Sequence, residues 1–236
     1  VYYCEVINDQ NLVLTALKPL LPIHFKTIIN EKQTILITAL LTIQLITFAQ
    51  FFKKDEGLDH TFSIVARDSV TGEMAVGVQS HWFSAGTAVP WAEAGVGVVS
   101  TQSFINKGYG TKGLELMKQG NTATEALEEL LAKDDGREVR QVAMIDVYGN
   151  VNAFTGGKCI DFANHIIGKN YSVQSNKMLG NKVCAAMAKA YEAASRKQLA
   201  ERVLIAMQAA QSVGGDIRGK QSAAILVVAG IKSEQP

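Results

Sequence analysis

Thr61 opens the stretch Thr61-Phe62-Ser63-Ile64-Val65-Ala66-Arg67-Asp68, which has the composition of a first β-strand. A hydroxyl on the first residue of a domain points to one kind of chemistry. Once the preceding peptide bond is cut, the residue's own α-amine titrates near ~7.7–8.0, so it can take the hydroxyl proton at neutral pH where a lysine cannot. The competing explanation is plain: a β-branched residue suits the start of a strand. Ser63 lies two residues on and shares a strand face with Thr61. As an internal residue it has no α-amine, and no Ser-His-Asp spacing surrounds it. His81, in His81-Trp82-Phe83, ends the next strand; it could line a pocket or sit solvated on a rim of packed aromatics.

The loop Gly214–Ser222 is the second candidate. Closely placed glycines leave backbone N–H groups accessible, and Asp216 and Arg218 add two opposite charges. Arg218 can clamp a substrate carboxylate in bidentate fashion. The alternative is an Asp216–Arg218 ion pair that only orders the loop. Cys159 as nucleophile is disfavoured, because buried structural cysteine is the commoner case. No His/Cys/Asp cluster has metal-ligand spacing and no glycine motif fits a phosphate, so no metal, nucleotide or other cofactor is expected.

What must position these residues begins after a leader. Residues 32–49 have the layout of a signal peptide: Lys32, an apolar stretch from Ile35 to Ile46, then small residues at Thr47 and Ala49. The apolar part falls short of the ~20 residues of a membrane-spanning helix, and Gln44 interrupts it. Residues 1–31 fit neither leader nor domain, which suggests an over-extended reading frame. Cleavage after Ala49 would leave 236 − 49 = 187 residues, one domain's worth. The expected location is therefore secreted or periplasmic, with no membrane association after cleavage. Residues 50–60 read as a charged spacer or propeptide, and residues 61–236 as a single domain. A formal charge of +1 offers no basic field for nucleic acid. Cys159 and Cys184 are expected as two buried free thiols.

None of the 20 glycines precedes Gly57, and the domain they punctuate alternates short strands with helices. Strands are expected at Thr61–Arg67, Met74–Ser80, Gly95–Thr101, Gln141–Val147, Val151–Phe154 and Tyr171–Ser175, with hairpin turns at 68–73 and 148–150. Leu114 and Met117 fit a short helix. Thr122 and Glu125 form a capping box for another. Two longer helices carry apolar faces through Val183, Met187 and Tyr191, and through Leu199, Val203 and Met207. The unbroken apolar run Ala223–Ala229 predicts a strand buried on both faces. Stacked sheets between helical layers follow, an α+β domain.

Several of these segments resemble successive motifs of one family. They are Thr61–Asp68, Val78-Gln79-Ser80-His81-Trp82-Phe83, Pro90–Gly97, Arg140-Gln141-Val142, Tyr171–Gln174 and Gly214–Ala224. Their order and spacing resemble the domain of unknown function 1028 family over nearly the whole domain, Thr61 to Val228. That family is placed with the N-terminal-nucleophile (Ntn) hydrolase-like proteins, so the resemblance implies a four-layer αββα sandwich. It implies chemistry less firmly, because a fold hosts many functions. On the Ntn analogy Thr61 is the nucleophile, and Gln174, Asn176 and Gln221 are the amide candidates for an oxyanion hole. Proteasome-like relatives use a lysine shortly after the nucleophile. None lies between Lys54 and Lys107 here, and Arg67 could pair with Asp68 or Glu73.

The leading expectation is an exported Ntn-type amidohydrolase acting on a small amide or peptide-like substrate. Two alternatives stay open: a non-catalytic ligand-binding module on the same sandwich, and cyclohydrolase-like chemistry without an N-terminal nucleophile. Self-association as a homo-oligomer also stays open. The Ntn route demands a second cut, at His60–Thr61, because an amide nitrogen is not a base.

Overall fold

The computed structural model describes residues 2–5, 61–216 and 219–231. The leader, the spacer and Arg218 lie outside the described residues. The domain begins with the expected hairpin, β2 (Thr61–Arg67) and β3 (Met74–Ser80); a short strand β1 (Tyr2–Glu5) precedes it in the chain. Asp68 makes the turn. Its Oδ1 accepts from the N–H groups of Val70 and Thr71 at 2.7 and 2.9 Å, and Gly72 takes the positive φ of +77° that closes the loop. The Asp68 carboxyl is held below its usual range, chiefly by the Thr71 N–H. Its ionic partner is Arg202, at 3.3 Å, and not the neighbouring Arg67.

The remaining strands are β4 (Pro90–Glu93), β5 (Gly97–Ser103), β6 (Arg140–Asp146), β7 (Val151–Thr155), β8 (Asn164–Gly168), β9 (Tyr171–Asn176) and β10 (Ser222–Val228). They form two antiparallel sheets, one of six strands in the order β1-β10-β3-β2-β9-β8 and one of four in the order β4-β5-β6-β7. The described residues also form four α-helices: α1 (Gly108–Lys118), α2 (Ala123–Ala132), α3 (Val183–Ala193) and α4 (Leu199–Ser212).

Two strands, β4 and β8, escaped the sequence patterns. Both are sheet edges, where solvent takes the place of one neighbour, so neither needs an apolar run; one starts on Pro90 and the other on Asn164-His165. The third expected strand starts at Gly97 rather than Gly95, because Gly95 is spent on a turn with φ +72°. β10 also departs from expectation. Ile225, Leu226 and Val227 are only half-buried, since β10 lies next to the edge of its sheet.

The helices land where their patterns placed them. The capping box at the start of α2 is formed in both directions: Glu125 N donates to Thr122 Oγ1 at 3.2 Å, and Thr122 N donates to Glu125 Oε2 at 2.8 Å. Helices α3 and α4 bury Val183, Met187, Tyr191, Leu199, Val203 and Met207 against Phe62, Ile64, Ala75 and Val173 of the larger sheet. Gly77 allows this approach: a Cβ there would lie 2.5 Å from Val203 Cγ1 and 2.8 Å from Met207 Sδ. Helices α1 and α2 cover the smaller sheet through Leu114, Met117, Leu127, Val99 and Met144. The facing sides of the two sheets meet through Val65, Val76, Val98, Ala143 and Ile145.

Candidate functional site

Along β2 the side chains on the sheet-facing side are Thr61, Ser63 and Val65, every second residue. Register then sets their neighbours. Val65 pairs with Val76 and Ser172, Ser63 with Val78 and Gln174, and Thr61 with Ser80 and Asn176. The facing strands repeat the gradient: Val98, Ser100 and Gln102 along β5 oppose Ile145, Ala143 and Gln141 along β6. The space between the sheets is therefore apolar at one end and polar at the other. Thr61 stands at the polar end, on a strand flanked on both sides.

A continuous hydrogen-bonded cluster fills that end. Ser63 Oγ donates to Gln102 Oε1 at 2.6 Å, accepts from Gln174 Nε2 at 2.8 Å, and lies 2.7 Å from Ser100 Oγ. Gln174 is held in turn by Ser172, whose hydroxyl donates to its Oε1 at 3.0 Å. Gln102 Nε2 donates to Gln141 Oε1 at 2.6 Å and reaches the carbonyl of Thr61 at 3.4 Å. Gln141 is the hub. Its Oε1 also accepts from Asn176 Nδ2 at 3.0 Å, and its Nε2 reaches Thr155 Oγ1 at 2.9 Å and the carbonyl of Ser175 at 3.0 Å. Thr155 continues the chain to His165 Nδ1, 2.9 Å away.

Thr61 itself is 1% exposed, and its Oγ1 donates to Ser80 Oγ at 3.1 Å. Ser63 is 0% exposed, with its single proton committed to Gln102 and both lone-pair directions taken. Asn176 has one amide hydrogen on Gln141 and a second to give. At the far end, Thr155, His165, Cys159 and Asn164 line an open cleft of about 430 Å3. Burial holds the imidazole of His165 below its ordinary pKa, so it is neutral at pH 7. Both thiols are free. Burial pushes Cys159 up and Cys184 up to about 11, so neither is a ready thiolate. Cys184 is buried, as expected, but Cys159 is only half-buried at the cleft.

The sequence candidates fall into two groups. Thr61, Ser63, Gln174 and Asn176 meet on adjacent strands. His81, Asp216 and Gln221 gather instead around the end of β3. The N–H of His81 donates to Asp216 Oδ2 at 3.1 Å, and that of Gln221 to the Ser80 carbonyl at 3.2 Å. The glycine loop is thus tied to the end of β3, whose Ser80 pairs with Thr61, with Gly214, Gly215 and Gly219 at positive φ. Ser80, Ser100, Gln102, Gln141, Thr155 and His165 join the site without being among the candidates named from sequence. Their signal was there: Ser100 and Gln102 break a Val-rich strand at period two, on the face of Val98, where a buried strand should carry aliphatic residues.

No curated protein matches this chain. Among solved structures, the crystal structure of protein SPO2555 from Silicibacter pomeroyi, identified with the DUF1028 family, is similar to it. The likeness has a TM-score of 0.67 and 29% identity, and it covers 72% of this chain and 74% of that one. The model of the family described as "Family of unknown function (DUF1028)" matches residues 61–236. That match starts on Thr61, the residue at the head of β2 and at the polar end between the sheets. The chain belongs to the DUF1028 family.

Proposed function

We propose that this protein is an exported amidohydrolase of the N-terminal-nucleophile type, with Thr61 as nucleophile and a small amide or peptide-like molecule as substrate. The observation that carries the proposal is the position of Thr61: first residue of a strand in the interior of its sheet, and of the family's shared unit, at the polar end of the inter-sheet space. Two sheets packed on each other, each with a helix pair outside, agree with a four-layer αββα sandwich of the Ntn kind. The layout of residues 32–49 supports export.

In the uncut chain the Thr61 nitrogen is an amide, so the hydroxyl has no base of its own. Maturation would begin with attack of Thr61 Oγ1 on the His60 carbonyl, breaking the His60–Thr61 amide to give an ester. Breaking that amide already frees the α-amine; water then hydrolyses the ester, releasing the His60 carboxylate and restoring the Thr61 hydroxyl. In the mature enzyme Oγ1 attacks the substrate carbonyl while the α-amine takes its proton. The tetrahedral oxyanion would be met by the uncommitted hydrogen of Asn176. Collapse passes the proton to the leaving amine and leaves an ester on Thr61, which water, deprotonated by the α-amine, hydrolyses. Ser63, with its proton already given, holds Gln102 and Gln174 in place.

Intact-mass analysis tests the proposal. The purified protein should contain a species that begins at Thr61, and Thr61→Ala should remove both that species and hydrolysis of amide substrates. A chain that hydrolyses amides with residues before Thr61 still attached would overturn it. One observation favours a ligand-binding module as the second reading: Thr61 is closed from solvent, whereas the cleft beside His165 is open. Ligand binding by a chain that never matures would select that reading.

A further inference from the structure

The glutamines between the sheets are all hydrogen-bonded; Gln79 is not. It is 6% exposed, yet neither its Oε1 nor its Nε2 has a partner. A buried amide group left without a partner keeps its full desolvation cost, so a native protein seldom keeps two such atoms on one side chain without a use for them. Gln79 lies on the helix-facing side of β3, the side of Gly77, between Phe62 and Ala223 in register. That is the opposite side from Ser80 and Thr61.

Two more residues at this corner share the condition. His81, two positions on, has a buried Nδ1 without a partner. Gln211, in the last turn of α4, has a buried Oε1 without one. Four of the seven such atoms among the described residues therefore belong to Gln79, His81 and Gln211. The course of α4 along β3 brings the three to one corner of the fold. Helix α4 runs along β3 with Val203 and Met207 over Gly77, which brings its next turn, with Gln211, towards Gln79. Gln211 Oε1 lies against Gly215, and the following residue, Asp216, holds the His81 N–H. Exposed apolar side chains stand at this corner: Trp82 is 44% and Phe83 83% exposed beside His81, and exposed Leu179 packs against Gly214. A few polar atoms inside an apolar rim is the ordinary make-up of a small-molecule site.

We propose that this corner is a second ligand site, separate from the Thr61 centre, that takes a primary carboxamide carried on an apolar body. Valence selects the group. Gln79 presents one acceptor and one donor, and Gln211 adds an acceptor. A carboxylate has no hydrogen to give to either oxygen, and an ammonium has no lone pair for Gln79 Nε2. A carboxamide offers both: its oxygen accepts from Gln79 Nε2, and its two N–H hydrogens go to Gln79 Oε1 and Gln211 Oε1. The apolar body then lies across Trp82, Phe83 and Leu179.

Titration of the full chain with benzamide, benzoate and benzylamine tests the site by calorimetry and thermal shift. Benzamide is expected to bind saturably and raise the melting temperature, and the other two are not. Gln79→Met removes both unpartnered atoms, so it should fold at least as well and bind benzamide about tenfold more weakly or worse. Gln211→Met should also weaken binding, and it decides the matter if Gln79→Met does not fold. Thr61→Ala should bind benzamide like the parent chain, which separates this site from the proposed catalytic centre. Equal response to all three probes, no response to benzamide, or unchanged binding in both Met variants would leave these atoms to buried water and overturn the proposal.

Discussion

Gln141 shows how one side chain can organise a buried polar cluster. Two donors, Gln102 Nε2 and Asn176 Nδ2, converge on its oxygen, and its nitrogen reaches Thr155 and a backbone carbonyl. Gln141→Leu strands those donors in a buried space at about 1–3 kcal/mol each. We therefore expect a loss of roughly 2–5 kcal/mol in denaturant unfolding, and faulty placement of Asn176 whenever the variant still folds. His165, at the other end of the chain of bonds, predicts a pH effect. Its folded pKa is depressed by burial, so the unfolded chain takes the proton first as pH falls. Its stability contribution is complete above the unfolded value of about 6.5 and is lost as pH drops from there towards the folded value. Melting temperatures between pH 7.5 and 5 should fall less steeply for His165→Gln than for the parent chain; an equal slope would assign the acid sensitivity elsewhere.

Elements became legible in the sequence to the degree that their physics is local. The capping box of α2, the Asp68 turn and the apolar faces of α3 and α4 depend on residues within a few positions of each other, and each was found where the pattern put it. β4 and β8 were not found, because a half-solvated edge strand leaves almost no imprint on composition. The close seat of α4 on β3 lay between these cases. Gly77 is visible in the sequence, but only the packed helix shows what its missing Cβ makes room for. A methyl group there meets Val203 and Met207 at once. Gly77→Ala should cost about 1–3 kcal/mol in thermal or chemical unfolding, and a neutral result would mean that α4 can shift outward freely.

Taken whole, the molecule places its polar residues at one end of a space between two sheets and its aliphatic ones at the other. The polar end is the more expensive to fold and the more useful, because it needs every partner in register. The cleavage after Ala49 expected for export would already separate β1 from the domain and bare the edge of β10, which β1 now covers. A chain starting at Thr61 should still unfold cooperatively, since its core clusters lie within residues 61–231. It should also self-associate more than the full chain in analytical ultracentrifugation, because a bare strand edge invites pairing. Identical sedimentation of the two chains would count against β1 as the guard of that edge.

By itself the sequence determined the unit that starts at Thr61, its helices and first hairpin, and a short roster of polar residues able to do chemistry. These rest on period, capping and turn chemistry, which act over a few residues. Only the tertiary structure decided which of those residues meet. Ser63 finds Gln102 across 39 positions and Gln174 across 111, and the N–H of His81 finds Asp216 across 135. Such pairings are set by strand register and by which sheet face a residue occupies, and a shift of one residue reverses the face. Gln79 and Gln102 are the same residue type, each in a strand of a seven-residue span. One faces the helices with its amide unmatched and the other faces the opposite sheet with its amide fully matched, because the same donor and acceptor have value only through what folding sets against them.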